Sequence, residues 1–135
     1  MTISTLASEY VIDTVGLVLY LEKRRLGPDA QQIFAAAENG QTIIHIPAMV
    51  VAEILYLSEK KRISLTVQDV KLHLQNFPNF RECPMTHANI EEAEKINDIP
   101  DLHDRLIAAT AKHLNLELIT NDTKIQSSAA VKTVW

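Results

Sequence analysis

Four acidic side chains stand at positions that suggest shared chemistry. Glu53 lies within Val50–Leu57, a segment whose other seven residues are apolar. A buried carboxylate without a partner is costly, so it needs a cation, a hydrogen-bond donor or water. Asp13, Asp104 and Asp122 lie at the ends of predicted elements. Carboxylates that meet raise one another's pKa unless a cation lies between them, and hard divalent ions prefer oxygen ligands, so this set favours Mg²⁺ or Mn²⁺.

The predicted elements place the four acids at one edge of a sheet. Asp13 ends the first strand, and Asp122 lies two residues past the strand at 116–120. Asp104 lies in the first turn of the helix that leads into that later strand, and Glu53 lies about one and a half turns into a helix that also follows a strand. In parallel α/β sheets, ligands bind outside the carboxyl ends of the strands. We therefore expect one acidic site at that edge.

Strands and helices alternate along the chain. Short apolar or β-branched runs predict strands at 10–15, 42–47, 80–85, 116–120 and 131–135. Helical spacing and capping residues predict helices at 16–25, 29–40, 48–62, 65–77, 86–96 and 101–115. This alternation predicts an α/β fold with a mostly parallel central sheet of four to five strands, covered by helices on both faces in three layers.

Length and composition narrow the class of protein. The chain of 135 residues fits a single domain spanning 1–135, and 47% hydrophobic residues are enough for a core. The formal net charge of -4 is unusual for a nucleic-acid-binding domain, so a polyanion would have to meet a local cation. Cys83 is the single cysteine, which excludes an internal disulfide and suits a cytoplasmic location. We expect neither a membrane span nor a signal peptide.

Each acid also has a purely structural explanation. Asp13 could cap the following helix, and Asp104 could be favoured by the dipole at a helix N-terminus. Asp122 could form an Asx turn, and Glu53 could lie on a narrow wet face of its helix. For Asp101, which follows a proline, a capping role is the better explanation. A shared site becomes the stronger interpretation only when the four acids are considered together.

Several segments resemble a known family. "YVIDTVGLVLYLE", "IPAMVVAEILYL", "DLHDRLIAATAKHLNLELITND" and "VKTVW" are similar to PIN-domain nucleases, specifically VapC-type toxins of bacterial toxin–antitoxin pairs. The resemblance covers nearly the whole chain. It implies a PIN-like α/β/α domain and a metal-dependent endoribonuclease that hydrolyses RNA phosphodiester bonds. It also implies a cognate antitoxin as partner and a homodimer.

The resemblance carries over residue by residue to Asp13, Glu53, Asp104 and Asp122 as the catalytic set. Among them, Asp13 and Asp104 are the candidates for direct metal contact because they lie on rigid element ends. Asp122 is a candidate for a second ion or a metal-bound water. Glu53 is a candidate to position or deprotonate the attacking water. Arg105 departs from the family pattern, in which a small residue is common, and we expect its side chain to face solvent.

Two other function classes fit an α/β chain with acids at strand ends. A phosphoacceptor signalling domain would have adjacent acids after the first strand, whereas Asp13 is followed by Thr14 and Val15. A non-catalytic protein-interaction module would have no reason to keep four such acids. A nuclease assay on RNA with and without Mg²⁺ discriminates among the three classes.

The remaining features concern surfaces. Basic runs at 22–25 and 59–62 end two predicted helices. They could stabilise the helix C-termini, or they could form a surface that guides RNA or binds an antitoxin. The five histidines show no metal-ligand spacing, so we expect surface or hydrogen-bonded side chains. The helices at 48–62 and 65–77 carry more apolar residues than one core face needs, which favours a homodimer. These residues include Leu55, Leu57, Val70, Leu72 and Leu74.

Overall fold

A computed structural model describes residues 9–135 of the chain. Within this range the strands are β1 Glu9–Ile12, β2 Ile43–Pro47, β3 Phe80–Cys83, β4 Glu117–Ile119 and β5 Thr133–Val134. The helices are α1 Thr14–Leu21, α2 Pro28–Glu38, α3 Ala48–Glu59, α4 Val67–Asn76, α5 His87–Glu94, α6 Leu102–Leu114 and α7 Thr123–Gln126.

The strands form one sheet in the order β3-β2-β1-β4-β5, and every neighbouring pair is parallel. The central strand shows why both faces are covered. Successive residues of a strand point to opposite faces, yet Tyr10, Val11 and Ile12 of β1 are all buried. The α/β fold predicted from the sequence is therefore confirmed, with a sheet of five strands in the described part of the chain.

The junction of β1 and α1 differs from the prediction. The strand predicted for 10–15 ends at Ile12, because Asp13 caps a helix that begins at Thr14. The same helix was predicted to continue to 25 but ends at Leu21, since the chain turns at Lys23, which has a φ of 58°. The β-branched residues in 10–15 thus predicted a strand that continues past Asp13, whereas in the structure Asp13 caps a helix.

The C-terminal region also holds a helix that the sequence did not predict. This helix, α7, has four residues, too few for a periodic pattern to appear. Beyond it, the Trp135 carbonyl accepts hydrogen bonds from the Asp29 and Ala30 N–H groups at 3.2 and 3.1 Å, which caps α2. A Cβ at Gly27 would lie 2.2 Å from the Trp135 carbonyl oxygen, so only glycine fits beside this cap.

No helix within residues 9–135 is both long and apolar enough to cross a membrane.

Candidate active site

Asp13 is held at the junction between β1 and α1. Its Oδ1 accepts a hydrogen bond from the Gly16 N–H at 2.8 Å, which caps the helix. Its Oδ2 accepts one from the Thr120 hydroxyl at 2.5 Å, and only 4% of the residue is exposed. A Cβ at position 16 would lie 2.8 Å from Oδ1, so the absence of a side chain there makes room for the carboxylate.

Thr120 connects the aspartate that follows β1 to the aspartate that follows β4. Its Oγ1 donates to Asp13 and accepts from the Asp122 N–H at 3.0 Å. Asp122 then caps α7, where its Oδ1 accepts from the Lys124 and Ile125 N–H groups at 2.8 and 3.2 Å. Since β1 and β4 are neighbours in the sheet, the two aspartates lie at the same edge.

Glu53 faces the starts of two other helices. Its Oε1 accepts a hydrogen bond from the Thr14 hydroxyl at 2.6 Å, and its Oε2 lies 3.5 Å from Nδ1 of His103. The Glu53 side chain is 26% exposed, whereas the neighbouring Val50 and Ile54 are completely buried. The apolar segment therefore packs into the core while its one carboxylate points towards the first turns of α1 and α6.

Asp104 lies in the first turn of α6 and borders a cavity of about 450 Å³. Asp101 caps this helix by accepting a hydrogen bond from the Asp104 N–H at 3.0 Å, as the sequence predicted for it. The same cavity is lined by Asp122 and Lys124. The loop before α6 and the loop after β4 thus form two walls of one acidic depression.

The electrostatics show that the carboxylates interact. Burial raises the pKa of Asp13 to about 6, its two hydrogen bonds oppose this shift, and the charges of Asp104 and Asp122 add to it. Burial also raises the pKa of Asp104 to about 6. The neighbouring carboxylates that raise it further are Asp101, Asp122 and Glu53. His103 opposes the shift at Asp104, but the carboxylates still outnumber the positive groups beside them at this edge of the sheet.

The donor set suits a hard divalent ion. Within residues 9–135, no Lys or Arg forms an ion pair with any of the four carboxylates, and no three His, Cys, Asp or Glu side chains come together closely enough to enclose a metal. A fully enclosing protein site is not what Mg²⁺ requires, because it usually takes one or two carboxylates and keeps several waters. The carboxylate oxygens of Asp13 and Asp104, whose pKa values are raised by burial and by neighbouring negative charge, therefore fit Mg²⁺ or Mn²⁺.

The four acids predicted from the sequence all lie at the carboxyl edge of the strands, on four separate segments. The capping explanation also holds for two of them, because Asp13 and Asp122 cap α1 and α7. A cap uses one carboxylate oxygen here, so it does not exclude a second role. The catalytic roles of all four residues, and direct metal contact by Asp13 and Asp104, remain predictions.

The sequence did not indicate two of the side chains that touch this set. Thr14 positions Glu53, and the available signal was its place directly after Asp13. His103 was expected to be an ordinary surface or hydrogen-bonded residue, but it lies beside Glu53 and next to Asp104. Arg105 was expected to face solvent but is partly buried, and its Nε has no hydrogen-bond partner within the described residues.

Comparison with known proteins identifies the family. Residues 10–131 match the PIN domain model, which is most of the chain. The chain belongs to the PIN domain family. The resemblance found in the sequence is thereby confirmed, and the alternative of a phosphoacceptor domain is set aside.

Several solved structures share this fold. VapBC2 from Rickettsia felis, bound to a DNA fragment from its promoter, has a TM-score of 0.71 at 20% identity, covering 94% of this chain and 98% of that one. VapBC from Salmonella typhimurium, also bound to DNA, has a TM-score of 0.67 at 14% identity, with 95% and 98% covered. The sarcin–ricin-loop-cleaving toxin VapC20 from Mycobacterium tuberculosis has a TM-score of 0.63 at 14% identity, with 91% and 98% covered. Among curated protein sequences, no significant match was found.

Proposed function

We propose that this PIN domain is a metal-dependent endoribonuclease and the toxin of a toxin–antitoxin pair. The observation that carries the proposal is the convergence of Asp13, Glu53, Asp104 and Asp122 at one sheet edge, where two of them have raised pKa values. Acids that only stabilised the fold would be paired with cations or kept apart. The fold shared with VapC20, described as a sarcin–ricin-loop-cleaving toxin, supports RNA as the substrate class.

In this proposal, Asp13 and Asp104 would hold Mg²⁺ or Mn²⁺, and Asp122 would hold a second ion or a water bound to the first. A bound divalent ion lowers the pKa of a coordinated water and polarises the scissile phosphate. Thr120 fixes the Asp13 carboxylate by its hydroxyl and orders the loop that carries Asp122. Thr120 therefore positions both Asp13 and Asp122.

Glu53 positions the attacking water and accepts its proton. The Thr14 hydroxyl donates to Oε1 of Glu53, and Oε2, which lies 3.5 Å from Nδ1 of His103, is the oxygen that would accept the proton. Attack on phosphorus in line with the departing 3′ oxygen forms a new P–O bond and breaks the P–O3′ bond. The products carry 5′-phosphate and 3′-hydroxyl ends, and the RNA 2′-hydroxyl takes no part as nucleophile.

The proposal includes a single domain over 1–135, an antitoxin partner, a homodimer and a cytoplasmic location. Solved neighbours that are toxin–antitoxin complexes support the antitoxin. Exposed apolar side chains on neighbouring helices α3 and α4 support a second copy as partner: Leu55 is 49% exposed and Leu72 is 46% exposed. Val70, which was also expected to contribute, is only 2% exposed and belongs to the core. The interface is therefore expected to centre on Leu55 and Leu72.

The deciding experiment is cleavage of a single-stranded RNA by the purified protein in Mg²⁺, in Mn²⁺ and in EDTA. We expect cleavage with either ion, none in EDTA, and 5′-phosphate ends when the fragments are sequenced. A single-stranded DNA of the same sequence serves as the comparison substrate. Cleavage in EDTA, or fragments with 2′,3′-cyclic phosphate ends, would contradict the mechanism.

A further inference from the structure

Two basic segments far apart in the sequence meet in the structure. One follows α1 and the other follows α3, and Glu22 joins the two regions by accepting hydrogen bonds from the Ser64 N–H at 3.2 Å and the Ser64 hydroxyl at 3.1 Å. Helices α1 and α3 both begin at the carboxyl edge of the sheet, so their last residues lie together at its other end. We call the cations gathered there the basic patch: Lys23, Arg24, Arg25, Lys60, Lys61 and Arg62.

The basic patch is exposed and mostly unpaired. All six side chains are exposed, and the two segments, 22–25 and 59–62, hold six of the chain's 13 Lys and Arg but only two of its 17 acids. Arg24 lies 3.8 Å from Glu22, and Lys60 lies over the Tyr56 ring at 5.7 Å. The other four cations form no ion pair within residues 9–135. A chain of net charge -4 thus carries a concentrated positive region.

Stabilisation of helix C-termini does not account for the patch. A cation acts on the helix dipole mainly within the last turn. The last turns of α1 and α3 contain no basic residue, and the cations lie at or beyond the caps Glu22 and Lys60. Lys23 and Lys61 have φ values of 58° and 57°, so in both segments the chain has already left the helix.

The basic patch lies at a fixed distance from the candidate active site. The hydrogen bond from Thr14 to Glu53 joins α1 and α3 at the site, and the Glu22–Ser64 contact joins the far end of α1 to the loop after α3. At 1.5 Å per residue, the eight residues of α1 extend about 12 Å, and the part of α3 from Glu53 to Glu59 extends about 9 Å. A nucleic-acid strand rising about 3.4 Å per nucleotide covers that distance with about three to four nucleotides.

We propose that the basic patch binds the phosphate backbone of the RNA substrate about three to four nucleotides from the scissile bond. The inference rests on the proposed ribonuclease function and adds how the substrate is held. Exposed Lys and Arg without an apolar centre are typical of phosphate contacts, whereas protein interfaces are depleted in Lys and have an apolar core. The two segments contain no apolar residue. Within residues 9–135, the large exposed apolar side chains beside them are two separate ones: Tyr56 under Lys60, and Leu72 in a cavity with Glu22 and Ser64. An RNA backbone is therefore favoured over an acidic protein.

The first test measures binding without cleavage. The wild type and the double variant Arg25→Glu/Lys61→Glu are titrated with a labelled 20-nucleotide RNA in EDTA at several salt concentrations, with fluorescence anisotropy as readout. We expect at least tenfold weaker binding at low salt, and a slope of log K against log salt that is smaller by about 1 to 2. The matched control, Arg81→Glu/Lys132→Glu, reverses two exposed charges on the edge strand β3 and beside the edge strand β5, and should stay within about twofold of wild type.

The neutral variant Arg25→Gln/Lys61→Gln guards against a folding defect caused by the reversed charges. It should weaken binding in the same direction by a smaller factor. Equal affinity and equal salt slope for the wild type and both patch variants would overturn the proposal. So would displacement of the RNA by a polyglutamate peptide of the same charge at equal concentration, because the patch would then favour acidic proteins.

The second test uses cleavage of RNAs of two lengths in Mg²⁺. A 20-nucleotide RNA reaches the basic patch, while a four-nucleotide RNA centred on the scissile bond does not. We expect Arg25→Glu/Lys61→Glu to raise KM at least fivefold for the long RNA only and to leave kcat unchanged. Equal KM increases for both lengths would refute binding at a distance. If the wild type cut neither RNA, the proposed function would fail, while the binding titration would still decide whether the patch holds RNA.

Discussion

A carboxylate joins each end of α1 to α3 or to the loop after it, and the two junctions have opposite surroundings. At one end Glu53 accepts from the Thr14 hydroxyl, and at the other Glu22 accepts from Ser64. Glu53 lies among further acids at the sheet edge, and its charge raises the pKa of Asp104. Glu22 lies among Lys and Arg, with Arg24 at 3.8 Å.

The junction at Glu22 therefore stabilises the fold, whereas the junction at Glu53 holds the carboxylates proposed to act in catalysis. Around Glu22, hydrogen bonds and neighbouring cations compensate the charge. Around Glu53, hydrogen bonds hold the carboxylates in place while their mutual repulsion remains. Such repulsion weakens the metal-free fold, and a bound cation would relieve it. The comparison can be tested by changing each end separately.

The largest expected effect is on cleavage at the acidic end. Asp13→Asn and Asp104→Asn each remove a proposed metal ligand while keeping a side chain of the same shape, and Asn remains a good helix cap at position 13. We expect each to lower kcat for RNA cleavage in Mg²⁺ about a thousandfold or more, as loss of a central catalytic group commonly does. Initial rates over a range of RNA concentrations measure the change.

Glu22→Gln is the matched control for those variants, since it removes one carboxylate charge at the other end of the same helix pair. It should cleave RNA at a kcat within about twofold of wild type, because Glu22 lies about 12 Å of helix from the acids. Near wild-type kcat for Asp13→Asn or Asp104→Asn would show that the acidic end is not the catalytic end.

A smaller effect is expected from crowding Asp13 without changing any charge. In Gly16→Ala, the new Cβ would lie 2.8 Å from Oδ1 of Asp13 and 2.8 Å from Cδ1 of Ile12, so the carboxylate must shift. Misplacement of a catalytic group by about 1 Å costs up to about a hundredfold in rate, and we expect a 10- to 100-fold loss of kcat. Val15→Ala, at a position that is 51% exposed, serves as the control and should be nearly neutral. Full activity of Gly16→Ala would show that the position of Asp13 is not critical.

The sequence was sufficient to predict the sheet, most helices and the edge at which the acids meet, because alternating elements and capping residues are local signals. It predicted the two basic runs but not that they meet, because their nearest cations, Arg25 and Lys60, are 35 residues apart and come together only where α1 and α3 run side by side. The contact between His103 and Glu53 also depends on how α3 and α6 pack. The four-residue helix α7 was missed because a single turn has no periodicity.

The smallest expected effect is on stability, and its sign distinguishes the two ends. Asp13 has a folded pKa of about 6 against an ordinary value of 3.8, so folding raises its proton affinity. The stability that goes with this shift is fully present below about pH 4 and is lost as pH rises through about 6. In EDTA, the wild type should therefore gain roughly 1 kcal/mol from Asp13 between pH 7 and pH 5. Asp104 adds a smaller gain of the same sign because its partial exposure screens the shift.

His73, on α4 and away from the four acids, opposes that gain, so the measurement must be a difference between variants. Burial lowers the pKa of His73, which makes the folded state less stable as pH falls through the same range. Asp98 does not interfere, because hydrogen bonds from Ser128 and Ala129 lower its pKa. Its contribution to stability therefore changes only at pH values below about 4, outside the range measured. Urea unfolding in EDTA at pH 5 and 7 should thus show that Asp13→Asn lacks part of the wild-type pH dependence, whereas Glu22→Gln retains it. If acidification raised the free energy of unfolding of Asp13→Asn and of the wild type equally, the carboxyl group of Asp13 would not have the raised pKa that distinguishes the acidic end of α1 from the basic end.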